Sequence, residues 1–508
     1  VDAINGFLYG LDVALTFNNL LAALAGALAG TLIGVLPGLG PTAGIAMILP
    51  LSYSLDPTSG LIMMAGMFYG AMYGGSTTAI LVNMPGESAS VITCIDGYKL
   101  TKKGRAGAVL TIVAAGSFVG GVLSVVGVML FAPALAQLGL LFGPAEFFAL
   151  TAGGLLLFSR ISGGTLAAGI FPMAIGLMLS TVGQELVTGQ DRFTFGISDL
   201  TLGVELVALV VGLYGITEIM SVVTNLQTQV KPLPVRLREM FPTREEWKRS
   251  VAPYGRGTAL GFIFGLLPGP SSTMASFASY RLEKGVSKHK EELGEGAIEG
   301  VAGPETANNA AATSSMVPLL ALGIPFGSVT ALMLAAMMVH GVQPGPMMIT
   351  QHPEVFWGVI ASMLIGNAML LILNVPLISL WVSLLRVPNH IFLPIILMVA
   401  TIGCYSVRNS MVDVYMLLLV AFVGYCLTKL NFQLAPMVVG VVLGPLIEKH
   451  LREGLFMSLG DISVFYTSPL AIGIWALVLL VLLLGPIQYL LSKAFGMKFK
   501  KIIPESSE

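Results

Sequence analysis

Apolar residues run through this chain in long blocks, separated by short polar breaks. The blocks fall at about 17–36, 41–53, 60–84, 106–131, 144–159, 163–180, 200–222, 257–280, 305–320, 322–340, 354–378, 391–403, 411–427, 434–446 and 468–493. Alternation of apolar and polar positions in runs of about ten residues, the mark of a membrane β-barrel, is absent. The blocks therefore predict helices. One crossing of a bilayer takes about 20 apolar residues, and several blocks are shorter, so the pattern predicts about 10–12 crossings. The fold class that follows is an all-α integral membrane protein.

Polar sequence gathers in few places. Residues 223–256 end in KPLPVRLREMFPTREEWKRSVAPYGR, and this excess of Lys and Arg assigns the segment to the cytosol. RLEKGVSKHK (281–290) is also basic and follows one apolar block later. Two cytosolic segments around one block require residues 257–280 to enter and leave by the same face. PGP at 268–270 divides that block into pieces too short to span. A re-entrant hairpin follows, with a single broken crossing as the competing arrangement. The chain then divides into an N-terminal transmembrane repeat (1–222), a cytosolic linker (223–256), a C-terminal transmembrane repeat (257–493) and a basic cytosolic tail (494–508).

Composition sharpens this picture. Of 508 residues, 55% are hydrophobic and 10% charged, and mean hydropathy is +0.86, far from the charge content of a soluble domain. No Lys, Arg or His occurs in residues 1–98 or 106–159. A net charge of -1 offers no broad basic field for nucleic acid. Cys94, Cys404 and Cys426 are scattered without a CxxC and read as small buried hydrophobes. The first apolar segment has no basic flank and does not read as a signal peptide.

One phrase occurs twice. GVLPGLGPT (34–42) returns as GLLPGPSST (265–273), 231 residues on. LVNMPGESASV (81–91) pairs with LALGIPFGSVT (320–330), FAPALAQLGLLFGP (131–144) with NVPLISLWVSLLRVP (374–388), and PMAIGLML (172–179) with PMVVGVVL (436–443). Four matches in one order indicate a two-fold internal repeat. The loop after NMPG is basic (Lys99, Lys102, Lys103, Arg105), whereas VHGVQPGP (339–346) has no Lys or Arg. In the opposite sense, 281–290 is basic and its counterpart SYSLDPTSG (52–60) is not. Opposed charge in equivalent loops predicts two inverted structural repeats with broken, re-entrant helices.

The breaks are the candidate site. Proline removes a helix hydrogen bond and glycine admits unusual backbone angles. Amides freed in hydrocarbon cost several kcal/mol unless they line a cavity or a ligand. Broken helices that meet near the midplane of an inverted repeat are how secondary transporters hold anions. The candidate substrate-binding residues are Pro37, Gly38, Gly40, Pro41 and Thr42 in the first break, and Pro268, Gly269, Ser271, Ser272 and Thr273 in its repeat. Ser76, Thr77, Thr78, Asn83, Pro85 and Gly86 come from GGSTTAILVNMPGES, and Asn308, Asn309, Pro325 and Gly327 from PETANNAAATSS and GIPFGS. This set holds a carboxylate through backbone amides and hydroxyls without a basic side chain. Helix packing by Gly, Ser and Thr, and interhelical bonding by the Asn pair, are the bland alternatives.

Glu87 and Glu305 are candidate ion-coupling acids, with helix capping as the alternative for each. Asp12, Asp56 and Asp96 read as loop acids, and His340 as interfacial. No HExxH, phosphate loop or paired-carboxylate hydrolase pattern is present, so the chain reads as neither enzyme nor ATPase and needs no cofactor or metal.

These residues resemble the large membrane subunit (TctA) of the bacterial tripartite tricarboxylate transporters. The resemblance is carried by GTLIGVLPGLGPT (30–42), GMFYGAMYGGSTTAILVNMPGESASVITCIDGYKLTKKGRAG (66–107), GAIEGVAGPETANNAAATSSMVPLLALGIPFGS (296–328) and HGVQPGP (340–346). It implies a conducting subunit in the lipid of the bacterial inner membrane. Its implied partners are a small TctB-like membrane subunit and a TctC-like periplasmic substrate-binding protein. Citrate-like tricarboxylates or other organic carboxylates are the implied cargo, driven by Na⁺ or H⁺. The chain departs at GIPFGS from the family's commoner GIPG followed directly by a small residue: Phe326 puts aromatic bulk beside the candidate site, or the loop realigns so that Gly327 takes the glycine's place. An uncoupled organic-anion permease and an integral membrane enzyme are the rival readings.

Overall fold

The computed structural model describes residues 3–36, 39–162, 166–185, 188–224, 237–384 and 389–495. Those residues are almost wholly helical, apart from a two-residue antiparallel pairing of Gly183–Gln184 with Asp191–Arg192. Pro37, Gly38, most of the basic stretch 223–236, and the tail from 496 onward lie outside them.

Five described helices are long and apolar enough to cross a bilayer: Phe17–Val35, Ala106–Gly139, Leu206–Thr224, Pro353–Asn374 and Met411–Lys429. Five shorter apolar helices, among them Pro41–Ser52 and Ser328–Val339, fall below spanning length. Of the expected ten to twelve crossings, five described helices have both the length and the apolarity to cross. Two central helices meet neither description. Pro57–Val82 has 26 residues and is buried along nearly its whole length, as is Glu299–Ser314. Their Gly, Ser, Thr and Asn content is tolerated because other helices, not lipid, surround them.

The same succession of elements occurs twice. In the N-terminal half, Phe17–Val35, a break, Pro41–Ser52, then Pro57–Val82, a break, and Val91–Lys102 lead into Ala106–Gly139. In the C-terminal half, Arg244–Gly265, a break, Ser271–Val286, then Glu299–Ser314 with Met316–Leu322, a break, and Ser328–Val339 lead to Pro353–Asn374. Local sequence sets these boundaries. Asp56 accepts from Ser59 N at 3.0 Å ahead of Pro57, which needs no N–H at that position. A reciprocal Thr243–Glu246 capping box starts the helix at Arg244, inside the segment expected to be linker.

Glycine ladders pack each half with the same spacing. A Cβ added to Gly26, Gly30 or Gly34 would stand 2.0, 2.3 or 2.3 Å from the carbonyl oxygens of Met63, Met67 and Ala71. Their counterparts Gly257, Gly261 and Gly265 meet the carbonyls of Gly303, Ala307 and Ala311 at 2.4, 2.2 and 2.5 Å. The first set lies 231 residues from the second and its partners 240, which are the offsets of the sequence phrases. No side chain fits there, so the backbones touch, as glycine permits in membranes.

The halves also cross over. Ala106–Gly139 packs on Glu299–Ser314, and Pro353–Asn374 packs on Pro57–Val82. Where the PM phrases meet, the contact is reciprocal: Gly176 faces Met437 O at 2.0 Å and Gly440 faces Met173 O at 2.7 Å, measured from an added Cβ.

Candidate functional site

Four breaks interrupt these helices: 36–40, 83–87, 266–270 and 323–327. Side chains and backbone join them in a ring. Thr42 Oγ1 and Ser328 Oγ lie 3.0 Å apart, linking the first break to the fourth. Ser88 Oγ and Thr273 Oγ1 lie 2.9 Å apart, linking the second to the third. Gly269 N donates to Phe326 O at 2.8 Å, linking the third to the fourth. Gly86 packs on the end of the helix before the first break, since its added Cβ would stand 2.3 Å from Gly34 O.

The hydroxyl pairs are equivalent under the same offsets, Thr42 with Thr273 and Ser88 with Ser328. Backbone angles repeat as well. Asn83 and Gly323 both end their helices left-handed, at φ 58 and φ 71. Glu87 (φ -148, ψ 168) and Gly327 (φ -155, ψ 169) are both extended. Phe326 therefore occupies the place of Gly86, and Gly327 that of Glu87.

Helices start at the ring. Gly40 and Pro270, the residues before Pro41–Ser52 and Ser271–Val286, provide no side-chain cap, so the first amides of those helices keep no side-chain partner from them. At the fourth break Gly327 N donates to Thr330 Oγ1 at 2.9 Å. Ser271, Ser272 and Thr273 are partly exposed beside these ends, as are Gly40 and Thr42. Pro41, Pro325, Gly86 and Gly269 are buried in the ring, and Pro85 and Pro268 are partly exposed. Residues 39–42 and the break at 268–273 meet through the other two breaks.

A second polar group lies behind the ring. Glu305 is fully buried, and its carboxylate accepts from Ser76 Oγ at 2.5 Å, from Thr93 Oγ1, and from Asn308 Nδ2 at 3.1 Å. Asn309 Nδ2 donates to Asn308 Oδ1 at 2.5 Å, to Ser117 Oγ at 2.8 Å and to Glu305 O at 3.0 Å. No Lys, Arg or His is paired with Glu305 among the described residues. It stands inside Glu299–Ser314, so the capping alternative does not hold for it. Glu87 is buried too and makes no capping bond; it accepts from Ser90 Oγ at 3.3 Å. Its Cγ is 3.0 Å from where a Cβ on Gly75 would lie, beside Ser76.

Ser76 and Thr77 also line a void of about 10 Å³, with Tyr73 and Asn374 on its wall. Thr78 turns away and donates to Gly75 O at 3.0 Å. Asn83 belongs elsewhere: it lines an open cleft of about 370 Å³ with Cys94, Tyr98, Lys99 and Lys102. Basic side chains thus stand near the second break, one helix further on. Lys99 donates to Gly294 O and pairs with Glu295, so its charge is engaged.

Asp96 corrects its reading as a loop acid. It is fully buried and accepts from Tyr280 Oη at 2.9 Å and from the amides of Gly294, Gly296 and Ala297 at 2.9, 2.6 and 3.0 Å. Nothing local in the sequence marks it, because all its donors come from 184 to 201 residues away. Thr93 and Ser117 were missed for the same reason.

Fold and site together define a multi-pass membrane protein whose broken helices surround a polar centre. The chain matches the Tripartite tricarboxylate transporter TctA family over residues 20–439 and belongs to it. It is therefore a membrane transport protein and not an enzyme. It is 46% identical over 478 residues to an uncharacterized 52.8 kDa protein of Agrobacterium vitis from the TAR-I ttuC' 3' region, covering 94% of this chain and 95% of that one. A second Agrobacterium vitis protein, uncharacterized and from the TAR-II ttuC' 3' region, is 49% identical over 233 residues, 46% of this chain and 96% of its own length. No solved structure matches.

Proposed function

We propose that the chain is the conducting subunit of a binding-protein-dependent secondary transporter, importing a tricarboxylate or related organic carboxylate across the bacterial inner membrane. A TctC-like periplasmic protein delivers the anion, and a TctB-like small subunit completes the membrane unit. Residues 1–222 and 257–493 act as two inverted repeats, and the paired breaks are re-entrant tips. The anion docks at the ring of breaks, held by the amides of Gly40, Thr42, Ser272 and Thr273 and by the hydroxyls of Thr42, Ser271, Ser272, Thr273 and Ser328. Glu87 and Glu305 lie behind it and couple transport to Na⁺ or H⁺. The observation that carries this reading is the twin contact, Thr42 with Ser328 and Thr273 with Ser88. Hydroxyls and amides without a bound basic side chain can take an anion and release it, whereas a buried Arg would hold it.

Coupling has a physical motive. Moving one net charge across 100 mV is worth about 2.3 kcal/mol, so cations must travel with a multiply charged anion. Uptake of labelled di- and tricarboxylates into liposomes holding the chain and both partners tests the reading. Saturable uptake that needs a Na⁺ or H⁺ gradient is expected. Thr42→Val and Thr273→Val should each raise the half-saturation concentration about tenfold, one charge-assisted hydrogen bond being worth about 1.5–3 kcal/mol. Uptake indifferent to both gradients supports the uncoupled permease instead, and uptake indifferent to both substitutions removes the ring as the site.

A further inference from the structure

The helix Leu206–Thr224 is not α-helical throughout. Residues Val211–Ile216 form a π turn, wider than the α-helix on either side of it. Such turns are rare and recur at functional sites. This one is fastened to Met411–Lys429. Thr217 Oγ1 donates to Gly212 O at 3.0 Å and to Ala421 O at 3.1 Å, and a Cβ on Gly212 would meet Leu417 O at 2.7 Å. It also packs on Pro41–Ser52, the helix that begins at the first break, with Gly215 beside Met47.

Tyr214 stands within this turn. Its Oη is buried, lies against the Ser328 side chain, and completes no hydrogen bond with any described residue. A buried tyrosine hydroxyl ordinarily has a partner, and one left without is unfavourable. Ser328 is the ring residue that meets Thr42 at 3.0 Å. Three hydroxyls, of Thr42, Ser328 and Tyr214, therefore gather where the first break meets the fourth. Tyr53, another buried hydroxyl without a partner among the described residues, lies elsewhere, edge-on to His340.

The opposite pair of the ring is furnished differently. Glu87 precedes Ser88, whereas Gly327, with the same extended backbone, precedes Ser328. One side of the ring thus adds an acid and the other a phenol. A carboxylate has two oxygens and about four lone-pair sites, enough for three O–H donors, and it is not repelled where no acid adjoins them. A phenol is also more acidic than an aliphatic hydroxyl and donates more strongly.

We infer that Tyr214 is a substrate-binding residue of the ring, its Oη donating to a carboxylate oxygen of cargo held at Thr42 and Ser328. The inference rests on the ring as the docking site and adds to it a residue from outside the four breaks. The π turn serves this placement, because a wider turn changes which residues of the helix face Pro41–Ser52.

The test uses the purified full chain in nanodiscs, with thermal unfolding followed in sodium citrate or sodium succinate against NaCl at equal ionic strength. Uptake of the same labelled acids is measured in liposomes holding both partners. In NaCl alone Tyr214→Phe should unfold no lower than wild type, because the hydroxyl it loses bonds no other group of the protein. It should need about tenfold more carboxylate for the same rise in unfolding temperature. Its half-saturation for uptake should rise about tenfold with the maximal rate kept. Tyr53→Phe should leave both carboxylate responses as in wild type. A lower unfolding temperature of Tyr214→Phe in NaCl overturns the inference, since it makes the hydroxyl a structural partner of Ser328. A carboxylate response unaltered in Tyr214→Phe but weakened in Thr42→Val also overturns it, and leaves the ring standing. If neither substitution alters the response, the ring itself fails. A wild type that neither binds nor takes up either acid fails the transport reading, and the inference with it.

Discussion

The two halves of this chain share a frame and differ in chemistry. Glycine ladders, left-handed helix ends at Asn83 and Gly323, and the hydroxyl pairs of the ring recur at fixed offsets. Behind that frame the halves part. Glu305, Asn308, Ser76 and Thr93 gather on one side, and Ala65, Phe68, Met316 and Met333 stand at the corresponding places. What is repeated is a frame of close backbone contacts, which tolerates little change. What is single carries charge, and a charge needs only one place.

The backbone frame offers the hardest blow to this comparison. Gly34→Val and Gly265→Val would each push a branched side chain into a carbonyl 2.3 or 2.5 Å from the first added carbon. Overpacking of this kind costs about 1–3 kcal/mol where neighbours can move, and here they are backbone. Both variants should lose monodisperse folded protein on size exclusion. If one folds and the other does not, the frames are not equivalent.

Asp96 gives a smaller effect and has no twin to share it. Asp96→Ala leaves the amides of Gly294, Gly296 and Ala297 and the Tyr280 hydroxyl without their acceptor. A cost of about 3 kcal/mol is expected, since buried orphan donors cost about 1–3 kcal/mol each and some will find water. Thermal unfolding measures it, and an unchanged midpoint would mean the 287–298 loop carries no weight in holding the halves together.

The weakest predicted effect is at the periphery, where Arg105 of one half grips Glu246 of the other at 2.8 and 2.5 Å. Partial burial works against the Glu246 carboxylate, but the guanidinium and the Thr243 cap outweigh it and hold its pKa below the ordinary glutamate value. A depressed pKa adds stability above the unfolded value, and that stability is lost as pH falls through the folded one. The pair is part-exposed, so its share is under about 1 kcal/mol. Glu246→Gln should flatten the acid side of the stability profile slightly, and an unaltered profile would show the clasp to be idle.

The sequence was most legible where the backbone is constrained. Gly and Pro phrases at matching offsets marked all four breaks, because those residues are needed wherever a helix stops in an apolar interior. Phe326 shows the limit: spelling alone allowed two registers of GIPFGS, and only backbone angles aligned Gly327 with Glu87. Pro57–Val82 and Glu299–Ser314 are surrounded by neighbours that hide their polarity from lipid, which apolar length alone does not show.

By itself the sequence determined that the protein is helical, lies in a membrane and repeats its breaks, since apolar length and proline position act locally, and its motifs carried the resemblance to the TctA family to which it belongs. Tertiary structure decided which side chains meet. It sent Asn83 to a cleft lined with lysine, set Ser76 and Thr93 on Glu305, and buried Asp96 against a loop far along the chain. Such contacts follow from how helices cross in space, and a hydroxyl in one helix bears no mark of the carboxylate it will meet in another.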